Sequence, residues 1–280
     1  LGSYDADVAY TSMVLSSMAY CPTYKLQDLS FNTGCSSDVE GLTEMEVYYS
    51  NTYDAQGFVA VLNVTANPLV IASFMGTNGS KQDFADDLSG GEFSFSTCEI
   101  EGNKLGNVHD GFCSYYNSLQ SKGMADRFAE LVALYPTYLP IVTGHSLGAA
   151  AAAVMAVDLN ARYEISPYLY TFGQPRVGGY SFSESIGDAT AKAYRVVHKK
   201  DMIAHLPPCC AVAYKCYKGD TCPYHTGHEV WYDNNMKDSS DYVECNQGED
   251  TSCSDSLMVA LNVDDHLNYF NTELGDYCCY

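Results

Sequence analysis

A β-branched run, Ile141-Val142-Thr143, is followed closely by an alanine-rich run, Ala149 to Val157, and between them stands Gly144-His145-Ser146-Leu147-Gly148. The first run favours a buried strand and the second a helix. G-x-S-x-G between a strand and a helix is a nucleophile elbow. The turn is sharp and pushes the serine out of the backbone with its hydroxyl exposed. Strand and helix pass so closely that the flanking positions must be nearly free of side chain, which Gly144 and Gly148 provide. The helix that follows points free N–H groups at any developing oxyanion. The bland alternative is an ordinary β-turn-α crossover with an incidental serine.

The neighbouring segments extend this unit into a fold. Val8, Met13, Val14 and Met18 recur at helical spacing and predict a helix over 6–20. A short strand is predicted over 46–50. The apolar runs 57–63 and 68–74, joined by Thr65-Ala66-Asn67, read as a hairpin. An amphipathic helix is predicted over 119–135, stopped by Pro136, with Phe128, Leu131 and Leu134 on one face. Strands follow at 140–143, 168–173, 192–198 and 228–233, with the post-elbow helix running to about Tyr163. Short helical pieces are expected at 257–260 and 266–271. Strands alternating with helices define an α/β fold, a central mixed and mostly parallel sheet with helices on both faces. The early hairpin supplies an antiparallel edge. No linker or repeat divides the chain, so one domain is expected over 1–280.

Charge and cysteines narrow the setting. Thirty-five acidic residues against 14 basic ones give a net charge of −21. This disfavours nucleic acid as a partner and attraction to anionic membrane surfaces. No apolar stretch is long enough for a transmembrane helix. The start, Leu1-Gly2-Ser3-Tyr4-Asp5, reads as a mature or trimmed end rather than a signal peptide. The 12 cysteines point to disulfides, an oxidising compartment and secretion. Cys98–Cys113 and Cys245–Cys253 close short loops and are the expected pairs. For the run from Cys209 to Cys222, with His225 and His228 nearby, zinc is the competing reading, although no C-x-x-C knuckle is present. Asn63-Val64-Thr65 and Asn78-Gly79-Ser80 are glycosylation sequons that suit secretion.

A serine hydroxyl needs a base to take its proton and a carboxylate to orient that base. In this fold the order is Ser, then Asp or Glu, then His. Asp201 follows a predicted strand and a Lys199-Lys200 turn, which suits the acid. A turn-capping aspartate is the plain alternative. Four histidines follow Asp201. His205 is too close along the chain to reach around to it. His225 and His228 flank a strand and suit structural roles. His266, in a loop before an apolar helical piece, suits the base, with Asp264 and Asp265 as rival acids. The oxyanion hole needs two backbone donors. Leu147, just after the serine, supplies one. Thr77, at the end of an early sheet strand, supplies the other.

Taken in order, several segments resemble the fungal-type lipases, the class 3 triacylglycerol lipase family of the α/β-hydrolase superfamily. Phe74-Met75-Gly76-Thr77 resembles the oxyanion loop, and Val108-His109-Asp110-Gly111-Phe112 resembles V-H-x-G-F. Gly144 to Ala149 resembles G-H-S-L-G-G-A with one glycine replaced. Phe172-Gly173-Gln174-Pro175-Arg176-Val177-Gly178 is the most specific segment. Asp201 to Pro208 resembles D-x-V-P-H-L-P-P, with Met202 and Ala204 as departures. His225 to Tyr232 resembles H-x-G-x-E-V-W-Y, and Asp265 to Phe270 resembles D-H-x-x-Y-F. The likeness covers about 55–270. It implies Ser146 as nucleophile, Asp201 as acid, His266 as base and Thr77 with Leu147 as oxyanion hole, matching the choices made from chain order. It also implies a lid over 78–89 that includes Phe84, Asp87 and Leu88. Phe84 stands where the family has tryptophan, and Lys81, Asp83, Asp86 and Asp87 make the segment polar.

The implied activity is hydrolysis of lipid carboxylic esters, at an oil–water interface or as soluble molecules, through an acyl-enzyme. It requires no metal or organic cofactor. A feruloyl-type or short-chain esterase and an inactive lipid-binding homologue are the alternatives. The sequence leaves acyl-chain preference, disulfide connectivity and oligomeric state open.

Overall fold

A computed structural model describes residues 3–64, 67–77, 94–212, 215–237, 241–256 and 262–279. The segment expected as a lid, with Phe84, Asp87 and Leu88, lies outside these, as do the helical piece at 257–260 and the Asn78 sequon.

The first helix, α1 (Ala6–Met18), starts where the Asp5 carboxylate accepts from the backbone N–H groups of Asp7 at 3.0 Å and Val8 at 3.1 Å. Two short helices follow, α2 (Thr23–Gln27) and α3 (Thr33–Asp38). An antiparallel ribbon comes next: β1 (Leu42–Ser50), β2 (Ala55–Leu62) and β3 (Leu69–Phe74). The expected hairpin is β2–β3. A separate hairpin, β4 (Phe95–Ile100) and β5 (Asn103–His109), leads into α4 (Asp110–Gln120) and α5 (Met124–Leu134).

The remaining sheet strands alternate with helices. They are β6 (Leu139–His145), α6 (Leu147–Tyr163), β7 (Tyr168–Phe172), α7 (Tyr180–Ala189) and β8 (Lys192–His198). A two-residue pair, β9 (Ala211–Val212) and β10 (Lys215–Cys216), precedes β11 (Glu229–Tyr232) and β12 (Val243–Cys245). A five-residue helix, α8 (Val263–Leu267), comes before the two-residue pair β13 (Asn268–Tyr269) and β14 (Thr272–Glu273). The main sheet has eight strands in the order β1-β2-β3-β6-β7-β8-β11-β12. From β3 through β6, β7 and β8 to β11 the neighbours are parallel, and both edges are antiparallel.

The two-residue period sorts side chains between the two faces. Phe58, Ala60, Ile71, Ile141, Tyr170 and Phe172 pack with α1 on one side. Val59, Val61, Val70, Ala72, Val142 and Leu169 pack with α4 to α7 on the other. Every residue of β2 and β3 is buried, as befits interior strands covered on both faces. In α6 everything from Gly148 to Leu159 is buried. Its alanines let it lie close on the sheet between α4 and α7. The one charge on this face, Asp158, is held by Arg162 at 2.6 Å and by the Tyr116 hydroxyl at 2.5 Å.

Two expectations change. The helix read over 119–135 is two helices. Gly123 takes a left-handed φ of +90°, and Gln120 Oε1 accepts from the Ala125 N–H at 2.8 Å, so the chain restarts its helix there. Phe128 and Leu131 are buried as expected, but Leu134 is 66% exposed. Near the C-terminus, the loop with a helix after it is inverted. His266 lies inside α8, and 268–269 is extended. Asn262 draws the helix start back by accepting from the Asp264 and Asp265 N–H groups.

All 12 cysteines are paired. Cys98–Cys113 and Cys245–Cys253 form as expected. The Cys209-to-Cys222 run, where zinc competes in the sequence, pairs as Cys209–Cys216 and Cys210–Cys222. Cys21–Cys279 and Cys35–Cys278 join the two ends of the chain. Among the described residues no helix is long and apolar enough to cross a membrane.

Candidate active site

Ser146 sits between β6 and α6 with φ 59° and ψ −127°. A serine in that region is strained, and the surrounding structure must hold it there. The hold is visible. The Ser146 N–H donates to Phe172 O at 3.0 Å, and Ser146 O accepts from the Ala149 N–H at 3.0 Å. A Cβ at Gly144 would collide with the Gly148 backbone, and a Cβ at Gly148 with Phe74 O. The glycines of the motif thus mark real close approaches of strand, turn and helix. Ser146 is fully buried, and its Oγ has no hydrogen-bond partner among the described residues.

Asp201 follows β8 through a turn in which Lys199 has φ +43°. His266 Nδ1 lies 2.9 Å from Asp201 Oδ1 and 3.0 Å from Oδ2. A backbone bridge between Asp201 and Asn262, next to α8, brings the two segments together. Asp201 also accepts from the Ile203 N–H at 2.8 Å and the Tyr269 hydroxyl at 2.6 Å. Burial alone raises a carboxyl pKa. Here the charge and hydrogen bond of His266, with the Tyr269 hydroxyl, outweigh it and hold Asp201 at about 2. The carboxylate is ionised at neutral pH, so His266 Nδ1 carries the proton it shares with Asp201, and Nε2 is the basic nitrogen. Gly173 shows how tightly this pair meets the sheet end. A Cβ there would stand 2.6 Å from both Asp201 Oδ2 and His266 Nδ1, and its φ is +57°.

The rival residues lie elsewhere. His205 faces Asp255 at 3.3 Å, His225 Nε2 meets Ala204 O at 2.6 Å, and His228 Nε2 meets Glu244 at 2.7 Å. Asp265 accepts from the Lys200 N–H. For the oxyanion hole, Leu147 is the first residue of α6, where helices leave N–H groups without intrahelical partners. Thr77 follows β3. The loop before it is fixed by the Met75 N–H donating to Gln56 O at 2.8 Å and the Tyr115 hydroxyl donating to Met75 O at 2.6 Å. A Cβ at Gly76 would stand 3.1 Å from Ser146 Cβ, so this loop borders the serine.

The most specific sequence segment has a structural purpose. Arg176, buried, donates to the carbonyls of His205 and Pro207 and makes a two-pronged ion pair with Glu249 at 2.7 and 2.9 Å. It thereby fixes the loop that begins at Asp201. Tyr269 escapes a reading by chain order. Its only signal is its place three residues after His266.

The sheet, the strained serine turn and the paired Asp201 and His266 define the α/β-hydrolase class. Residues 71–211 match the model of the class 3 lipases, described as "Lipase (class 3)", and the chain belongs to that family. A lipase of Rhizomucor miehei is 30% identical over 269 residues, covering 93% of this chain and 67% of its own length. A secreted mono- and diacylglycerol lipase of Fusarium solani is 28% identical over 229 residues, 76% of this chain and 64% of its own. The crystal structure of a lipase from Rhizopus microsporus var. chinensis superimposes with a TM-score of 0.79 at 28% identity, covering 96% of this chain and 88% of that one. The chain spans between 48% and 67% of the length of the curated relatives it matches first.

Proposed function

We propose that this protein is a secreted serine-dependent lipase that cleaves carboxylic esters of acylglycerols. The observation that carries this reading is the bond of His266 Nδ1 to both Asp201 oxygens, beside a strained serine elbow. Ser146 Oγ attacks the ester carbonyl carbon while His266 Nε2 takes the hydroxyl proton. Asp201 keeps the imidazole in the needed tautomer and balances the imidazolium charge. The N–H groups of Thr77 and Leu147 hold the oxyanion. The tetrahedral species collapses, His266 gives its proton to the departing alcohol, and the acyl group stays on Ser146. Water, deprotonated by His266, then releases the fatty acid and restores the serine. Ser146 and His266 are both fully buried, so substrate entry requires that they first be uncovered. Six disulfides support export to an oxidising compartment.

The net charge of −21 favours neutral surfaces or soluble esters over anionic lipid, which keeps a short-chain carboxylesterase as the second reading. Hydrolysis of p-nitrophenyl butyrate, tributyrin and a long-chain triacylglycerol emulsion separates the two. Ser146→Ala is expected to lose all three activities by at least about 10⁴-fold. Retained activity in that variant would remove Ser146 from the reaction.

A further inference from the structure

His145 precedes the nucleophile, is fully buried, and takes no part in the chemistry described so far. Its two ring nitrogens are both engaged. Nε2 lies 2.8 Å from the carbonyl oxygen of His266, and Nδ1 lies 2.7 Å from the Tyr20 hydroxyl. A carbonyl only accepts, so Nε2 carries the hydrogen and Nδ1 is the acceptor. Tyr20 must then donate. Its oxygen also lies against the oxyanion loop, where a Cβ on Gly76 would stand 2.1 Å from it. The hydrogens therefore run one way, from Tyr20 to His145 and from His145 to His266 O. Reversing any link breaks another.

We infer that Tyr20 and His145 are positioning residues, a buried one-directional hydrogen-bond chain that sets the spacing of the oxyanion loop, the serine elbow and the catalytic base. Gly76 borders Thr77, His145 borders Ser146, and the last acceptor is the backbone of His266 itself. The three segments lie far apart in sequence, and this chain of contacts touches all of them. The inference rests on the hydrolase reading above.

The ring of His145 also lies 4.4 Å from that of His266, tilted by 32°. In the reaction His266 becomes an imidazolium, and a second imidazolium there would oppose it. The groups facing His145 are His266, Asp201, Tyr20 and Tyr269. Burial, with the neighbouring His266, pulls the His145 pKa down to about 3, so it stays neutral through the catalytic range. The Tyr20 hydrogen occupies the only nitrogen that a proton could take. Linked bonds in a dry interior also reinforce one another and resist drift.

The test uses the whole chain and a neutral p-nitrophenyl phosphonate that labels Ser146, alongside steady-state ester hydrolysis. His145→Phe keeps a ring and removes both hydrogen bonds. We expect kcat and the labelling rate to fall together by about 10²-fold, the cost of a misplacement on the order of 1 Å, with KM held within about twofold. His145→Gln restores the donor to His266 O and is expected to recover most of the loss. Tyr20→Phe keeps its packing and is expected to lose kcat by about three- to tenfold, a loss that the His145→Phe background absorbs because the bond is already gone. Wild-type kcat in folded His145→Phe overturns the inference, as does a loss that His145→Gln leaves unrecovered. If His145→Phe does not fold, Tyr20→Phe decides alone, and wild-type kcat there is equally fatal. A wild type that the phosphonate does not label at Ser146 defeats the hydrolase reading instead.

Discussion

Tyr269 donates its hydroxyl to Asp201 at 2.6 Å, so the carboxylate that orients His266 is itself held by the residue three positions after that histidine. The proposed acid thus depends on the segment that carries the proposed base. Tyr269→Phe removes only the hydroxyl. A hydrogen bond to a buried charge contributes about 1.5–3 kcal/mol, so urea unfolding should show a loss in that range. kcat/KM should fall by roughly tenfold, because the carboxylate gains freedom to turn. An unchanged midpoint and unchanged kinetics would show that the bond holds nothing.

Gly173 leaves no room for a methyl group between the sheet end and the Asp201–His266 pair. Gly173→Ala adds a Cβ and strains a backbone already at φ +57°. The pair must part to accommodate it. Ester hydrolysis should drop by at least about 10²-fold even in the fraction of protein that remains folded by circular dichroism. Activity near wild type would mean that the pair tolerates separation.

Acid should destabilise the fold before it protonates the carboxylates. His145 is lowered to about 3 by burial and by His266, and His225 is lowered well below its ordinary value by burial and by Arg195. The unfolded chain therefore binds more protons than the folded one below about pH 6.5, and stability falls as pH drops through that point. The slope is at most about 1.4 kcal/mol per pH unit for each histidine. Asp201 acts in the same sense but at lower pH. Its stabilisation is complete above its unfolded value of about 3.9 and is lost only as pH falls toward 2. Urea midpoints at pH 7.5, 6 and 5, followed by the single tryptophan Trp231, should decline in that order. A flat series would contradict the buried neutral histidines.

The two disulfides between the chain ends should be redundant. Cys21–Cys279 and Cys35–Cys278 close loops of 258 and 243 residues. Removing either pair with serines leaves the other to close nearly the same loop, so the stability loss should be small. Removing both should cost up to about 5 kcal/mol on the chain-entropy view. Additive losses in the two separate double-serine variants would refute this.

What could be read from the sequence follows where the physics is local. The elbow declares itself because strand, glycines and alanine helix are adjacent. The pairing of Asp201 with His266 follows from chain order and from the poor placement of His205, His225 and His228. Cys98–Cys113 and Cys245–Cys253 are legible because short loops limit partners. Gly123 misled the helix reading, since the apolar period continues across it while the backbone does not. Tyr20, Tyr269 and the pairings of Cys21 and Cys35 stayed hidden, because each depends on a residue that only the folded chain brings near.

The crossover from β8 to β11 has a further consequence. Among its described residues it holds one three-residue 3-10 turn, Ile203–His205, and no α-helix, and its outer part is tied by Cys209–Cys216 and Cys210–Cys222. A helix covers a sheet through many side chains that must all suit their neighbours. A doubly stapled loop carries its own rigidity, and this one also meets the start of α7, where the Ser181 N–H donates to Asp220 Oδ1 and the Tyr180 N–H to Gly219 O. An exchange of this loop must therefore keep Gly219 and Asp220 facing α7, while the segment after Asp201 is fixed separately, through Arg176 and the carbonyls of His205 and Pro207.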